Sequence, residues 1–166
     1  MQFDLFKTLD TGATFSECER YRYALWRQWN DGPTVMWLML NPSTADETDN
    51  DSTVERCQRR AITMGFGRMV VCNIFAYRAT DPKDMLAAED PIGPENDQAI
   101  LEQAQKADQV ICAWGNHGSH LGRSRAVVGL LRQAGIPLHC LELNVPGEPK
   151  HPLYVGYDVR LQKWTP

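Results

Sequence analysis

The run Thr34-Val35-Met36-Trp37-Leu38-Met39-Leu40 is continuously apolar after its first residue and stops abruptly at Asn41-Pro42-Ser43. No other stretch restricts the fold as much. A short apolar run bounded by turn residues reads as a strand buried on both faces. Pro42 holds Asn41 extended and has no N–H to continue a ladder, so the strand must end at Asn41. In open parallel sheets the carboxyl ends of strands are where ligands bind. The same three residues are also ordinary turn formers, so the other strand ends have to decide between a site and a turn.

Three more buried strands follow, each after a helix. The helix predicted from Ser52 has capping-box spacing in Ser52-Thr53-Val54-Glu55, an apolar stripe of Val54, Cys57, Ala61 and Met64, and a stop at Gly65. Arg68 to Phe75 is the next strand, interrupted by the polar Asn73 where it should end. The stretch 84–94 reads as loop, and Pro94-Glu95-Asn96-Asp97 opens a second helix. Asp108 to Gly115 is a third strand leading into a Gly-rich segment, Asn116 to Arg123, and a helix carrying Val127, Val128, Leu131 and Ala134. Ile136 to Leu143 is the fourth strand, and Tyr157 to Trp164 supplies a small edge strand.

Strand–helix–strand order predicts parallel pairing with right-handed crossovers. Ahead of the opening strand, the aromatic stretch Tyr21 to Trp29 and the turn Asn30-Asp31-Gly32-Pro33 predict an antiparallel hairpin with Thr34–Asn41 at one side of the sheet. Residues 1–19 read as loosely attached. The expected fold is therefore one α/β domain over 1–166, a three-layer α/β/α sandwich. Its sheet has four mainly parallel strands plus an antiparallel N-terminal edge hairpin.

Several function classes fall away. No apolar run approaches the length of a membrane span, and Met1-Gln2-Phe3-Asp4 does not begin a signal peptide. The five cysteines are scattered without metal spacing. Cys72, Cys112 and Cys140 fall in strands, as reduced core residues suited to a cytoplasm. The acidic loop of Asp46, Glu47, Asp49 and Asp51 lacks the Gly and terminal Glu of an EF-hand, and no metal or cofactor is expected. With 17 Lys and Arg against 21 Asp and Glu, the formal charge is −4. That opposes a broad grip on duplex DNA but leaves room for a local basic face. Arg56, Arg59, Arg60 and Arg68 form one cluster and Arg123, Arg125 and Arg132 another; both read first as solvated helix faces.

Four strand ends thus present Asn41-Pro42, Asn73, Trp114-Gly115-Asn116-His117 and His151-Pro152. Together with Asn73-Ile74-Phe75-Ala76-Tyr77-Arg78-Ala79-Thr80-Asp81-Pro82 and Lys150-His151-Pro152-Leu153-Tyr154, they resemble the bacterial family called domain of unknown function 1643. More distantly, the layout resembles the uracil-DNA glycosylase superfamily. That resemblance implies an Asn beside Pro orienting water, here Asn41. It implies an Asn after the second strand reading a pyrimidine edge, here Asn73. A His-Pro pair steadying the departing base would be His151-Pro152.

The chemistry such a site needs is the cleavage of an N-glycosidic bond. An amide can orient a water but cannot take its proton, so Asp46, or Asp51, is the candidate base. His151 would hydrogen-bond the charge developing on the base, and Phe75 or Tyr77 would stack on it. Pro42, Ser43, Arg78, Asn116 and His117 complete the candidate ligand-binding set. Arg78 and Asp81 would form an ion pair shaping the loop or a substrate clamp. The ligand would be a nucleobase, a nucleotide or single-stranded nucleic acid. Two rivals stand beside this reading: a non-catalytic binding module on the same scaffold, and a different hydrolase using His117 or His151 with a carboxylate.

Overall fold

A computed structural model describes residues 9–145 and 147–166. The described residues build a mixed α/β fold with a seven-stranded sheet and four α-helices. In chain order the elements are β1 (Asp10–Phe15), β2 (Arg22–Gln28), β3 (Thr34–Met39), α1 (Ser52–Thr63), β4 (Arg68–Asn73) and α2 (Pro82–Ala87), then α3 (Asn96–Lys106), β5 (Gln109–Cys112), α4 (Arg123–Gln133), β6 (Leu138–Cys140) and β7 (Gln162–Lys163). Two 3-10 segments, Asn116–Gly122 and Pro152–Tyr154, flank the later strands.

The sheet order is β1-β2-β4-β3-β5-β6-β7. Strand β3 runs parallel to β4 and to β5, and β5 runs parallel to β6. From β3 the chain steps to one side to make β4, then crosses back over β3 to make β5. Right-handed crossovers that change direction must put their helices on opposite faces. The two cores obey this. Val35, Trp37 and Met39 of β3 pack with Val54, Cys57 and Ala61 of α1. Met36, Leu38 and Leu40 pack with Ile100 and Ala104 of α3 and Val127 and Leu131 of α4. Residues of β3 are buried on both faces from Val35 onward, which is why its sequence is a run and not an alternation.

Three sequence expectations change. The hairpin between β2 and β3 does not form, because β4 lies between them, antiparallel to β2. Gly67 makes the insertion possible. Its N–H donates to the Pro33 carbonyl at 2.8 Å, and its own carbonyl accepts from the Trp29 N–H at 2.9 Å. A Cβ at Gly67 would stand 2.1 Å from Asn30 Oδ1. Residues 10–15 are not loose: they form β1 on the outer edge of β2, while residues 1–8 lie outside the described residues. The stretch 84–94, expected as loop, starts inside α2, where Asp81 caps the Lys83 N–H at 2.9 Å and Met85 is buried.

The cap of α1 also shifts by one residue. Asp51, not Ser52, accepts from the Val54 N–H at 2.8 Å. Cys57, Cys72, Cys112 and Cys140 are buried free thiols, and burial pushes Cys72 up to about 12. Among the described residues no helix is long and apolar enough to cross a membrane.

Candidate functional site

The order β4-β3-β5 contains the point where the chain reverses its direction of travel across the sheet. At such a switch point the loops leaving adjacent strands part in opposite directions and open a crevice. The crevice is present as a cleft of about 860 Å³. Leu40 and Asn41 from the end of β3 and Trp114 and Gly115 from the end of β5 line it. Its other walls are the start of α1 with Asp51, then Ala79, Thr80 and Pro82, Asn116 and His117, and Asn144, Lys150, His151, Leu153 and Tyr154.

Asn41 is held in one orientation. Its Nδ2 donates to the Ala79 carbonyl at 2.9 Å and to the Pro42 carbonyl at 3.2 Å. Two carbonyl oxygens demand the amide's N–H side, so Oδ1 is the atom left to accept from outside. The backbone follows suit, with the Ala79 N–H donating to the Pro42 carbonyl at 2.9 Å. The tail of β4 therefore runs beside the tip of β3 and locks it.

His151 caps the 3-10 segment Pro152–Tyr154, and its Nδ1 accepts from the Leu153 N–H at 3.3 Å. An accepting Nδ1 places the ring proton on Nε2. Burial pulls its pKa down to about 4, against a smaller opposite pull from Asp51. At neutral pH the ring is thus an uncharged donor.

The loop carrying His151 is clamped by α1. Arg56 donates to the carbonyls of Pro152 and Val155 at 2.9 and 2.7 Å. Arg60 donates to Val155 and Gly156 at 2.9 and 3.1 Å. Both guanidiniums lie over the Tyr157 ring, at 4.3 and 5.1 Å. So Arg56 and Arg60 are not part of a solvated face, as Arg59 is: they satisfy carbonyls that a coil segment cannot pair by itself. Their spacing of four beside the Val54, Cys57 and Ala61 stripe was the available signal.

On the far wall, Gly115 has φ +77 and ψ −175, a region open essentially to glycine only. Its N–H donates to the Pro149 carbonyl at 2.7 Å, tying β5 to the His151 loop. We expect Gly115→Ala to cost about 1–3 kcal/mol of stability, as a shift in the urea midpoint.

Of the residues expected at the site, the fold brings together Asn41, Ser43, Asp51, Asn116, His117 and His151, and adds Asn144, Lys150 and Tyr154. Pro42 is buried just behind Asn41. The others lie elsewhere. Asn73 is 1% exposed; its Oδ1 accepts from Arg22 at 3.4 Å and its carbonyl accepts from Asn96 at 2.8 Å. It holds β4 in place and does not line the cleft. Arg22 is also buried, reaches the Ala45 carbonyl at 3.0 Å, and is lowered to about 10 by that burial. Phe75 is fully buried against His120. Tyr77 packs on Tyr21. Arg78 donates to the Glu19 carbonyl and covers Phe15, so it forms no pair with Asp81.

Asp46 is turned into its own loop, where Oδ1 accepts from the N–H groups of Asp49 and Thr48 at 2.8 and 3.0 Å. Those bonds hold its carboxyl below the usual range, which suits a poor proton acceptor. The acidic loop that looks like a cation site wraps a cation of the chain itself. Arg27 donates to the carbonyls of Asp46, Glu47 and Asp49 and to Asn50 Oδ1.

The model of a family described as protein of unknown function, DUF1643, matches residues 22–153. No curated protein and no solved structure matches the chain.

Proposed function

The chain belongs to the DUF1643 family, and from that premise we propose that the cleft recognises a nucleobase carried by a nucleotide or a single strand, with hydrolysis of its N-glycosidic bond as the reaction the donors and acceptors fit. We place this on a three-layer, uracil-DNA glycosylase-like scaffold. What supports the scaffold is the pair of cores on opposite sheet faces and the position of Asn41-Pro42 and His151-Pro152 around one crevice.

One observation carries the reading. An amide acceptor and an uncharged imidazole donor, 110 positions apart by subtraction of their residue numbers, line the same cleft. Oδ1 of Asn41 would orient a water toward the sugar carbon. As the C–N bond breaks, its electron pair goes to the base, and the Nε2–H of His151 stabilises that charge without first having to gain a proton. Asp51 is the carboxylate within the cleft that would take the water's proton. Tyr154, 77% exposed and with its ring 6.1 Å from that of His151, offers the stacking surface that Phe75 and Tyr77 do not.

A second reading has its own support. Both oxygens of Asp51 already accept from backbone N–H groups, of Val54 at 2.8 Å and Ala45 at 3.4 Å. A carboxylate so occupied favours binding without hydrolysis. Incubation with nucleosides and with single-stranded oligonucleotides containing uracil or hypoxanthine separates the two, scored by free-base release and by equilibrium binding. Release abolished by Asn41→Ala supports the hydrolase; binding without release supports the module. In either case Asn41→Ala should weaken binding about tenfold, the worth of a buried hydrogen bond whose partner is then left unpaired. Full affinity in that variant would remove Asn41 from the site.

A further inference from the structure

We propose that a second hollow, beside α4, binds the phosphate backbone of a single-stranded nucleic acid. The hollow measures about 720 Å³ and is lined by Arg125, Arg132, Gly129, Ser119 and Trp164, among others. It is separate from the first cleft, and its binding does not depend on base recognition there.

Helix α4 reads RSRAVVGLLRQ, with three arginines and no acidic residue. Arg123 is consumed by the fold: its Nε donates to the Ile74 carbonyl at 2.7 Å and its Nη2 lies 2.6 Å from Asp97. Arg125 and Arg132 are exposed and have no hydrogen bond, ion pair or ring contact among the described residues. They stand seven positions apart, about 10 Å along a helix axis. That separation suits a ligand with several phosphates in a row better than a lone anion. Gly129 lies between them, and a Cβ there would meet nothing within 4 Å. The helix surface is therefore open between the two guanidiniums, where a strand can lie against it. In a chain of net charge −4, two uncompensated guanidiniums on one helix face are a local exception.

One carboxylate, Glu148, shares the lining with the two guanidiniums and is held by neutral donors. Glu148 accepts from Trp114 Nε1 and from Ser124 Oγ, the latter at 2.9 Å. Trp164, packed edge-on against Trp114 at 5.6 Å, leaves an indole at the rim on which a base can stack. Asn116, His117, Asn144 and Lys150 line the first hollow, and Ser119, Gly122, Gly147 and Glu148 line the second, so neighbouring residues wall both. A strand with a base in the first cleft would pass its neighbouring phosphates across those walls into the second.

The test is fluorescence anisotropy with a labelled single-stranded 12-mer, over a series of salt concentrations, using the full chain. The double variant Arg125→Gln/Arg132→Gln should bind about tenfold more weakly at low salt. The slope of log affinity against log salt should become shallower by about 1.4, two phosphates at 0.7 each. Gly129→Gln, a better helix former than glycine, should fill the hollow and weaken binding with both arginines present. Free nucleoside binding in the first cleft should stay unchanged in both variants. Unaltered oligonucleotide affinity and salt slope in the double variant would overturn the proposal. So would competition by tripolyphosphate as strong as by the 12-mer at equal phosphate, since that ligand has no strand.

Discussion

Moving the protein from pH 7 to pH 4 should remove up to about 3 kcal/mol of stability through His151 alone. Burial sets its folded pKa at about 4, below the 6.5 of an ordinary histidine. Above pH 6.5 the ring is neutral in both states and contributes no pH dependence. Between pH 6.5 and 4 the unfolded chain takes up a proton that the folded one refuses, so stability falls as pH falls. Below 4 both are charged and the loss is complete. Other groups also titrate in acid, so the readout is a difference. Urea unfolding of the wild type and of His151→Asn is compared at pH 7, 5.5 and 4.5. Asn keeps an acceptor for the Leu153 N–H and so keeps the cap. The wild type should lose more stability than the variant over this window. Parallel curves would mean that the imidazole is hydrated and the site open. The same shift predicts that ligand affinity resting on the Nε2–H stays level from pH 5 to 8, where an ordinary histidine would titrate.

Gly118→Ala should destabilise by about 3 kcal/mol or more, the upper end of overpacking costs. A Cβ at this position would sit 2.1 Å from Trp114 Cδ1 and 2.6 Å from its Nε1. The indole cannot step aside. It is 1% exposed in the core, and its N–H is bonded to Glu148. Either the 116–122 segment lifts away from the cleft wall or the ring moves and breaks that bond. Gly129→Ala is the contrasting control, because its position is open on α4. There alanine should stabilise by about 0.5–1 kcal/mol through helix propensity. A chemical-denaturation midpoint for each checks both signs. A neutral Gly118→Ala would show that Trp114 is not fixed, and with it the floor of the cleft.

Much of the frame was legible because its causes are local. Pro42 dictates where β3 stops, within two residues. The intervals of Val54, Cys57 and Ala61 reveal α1, and those of Val127, Val128 and Leu131 reveal α4. The polar residue that ends β4 also reads correctly as a strand terminus. Its use does not. Asn41 and Asn73 look alike along the chain, each an amide closing an apolar run. Only the neighbours differ: Asn41 meets two carbonyls and keeps an open oxygen, while Asn73 meets Arg22 and closes the interior.

The residues by themselves determined the ends of β3 and β4, the helix stripes and the family, since a ring-locked φ and a 3.6-residue period act over a few positions; β5 and β6 stop at Cys112 and Cys140, short of the Gly115 and Leu143 expected. Tertiary structure alone decided that β4 enters between β2 and β3, that Arg27 fills the acidic loop, and that Arg56 reaches the Val155 carbonyl 99 positions away. The physical reason is that a buried carbonyl must find a donor but does not specify which one. The choice falls to whichever side chain the packed sheet brings within reach, and that is a property of the whole chain.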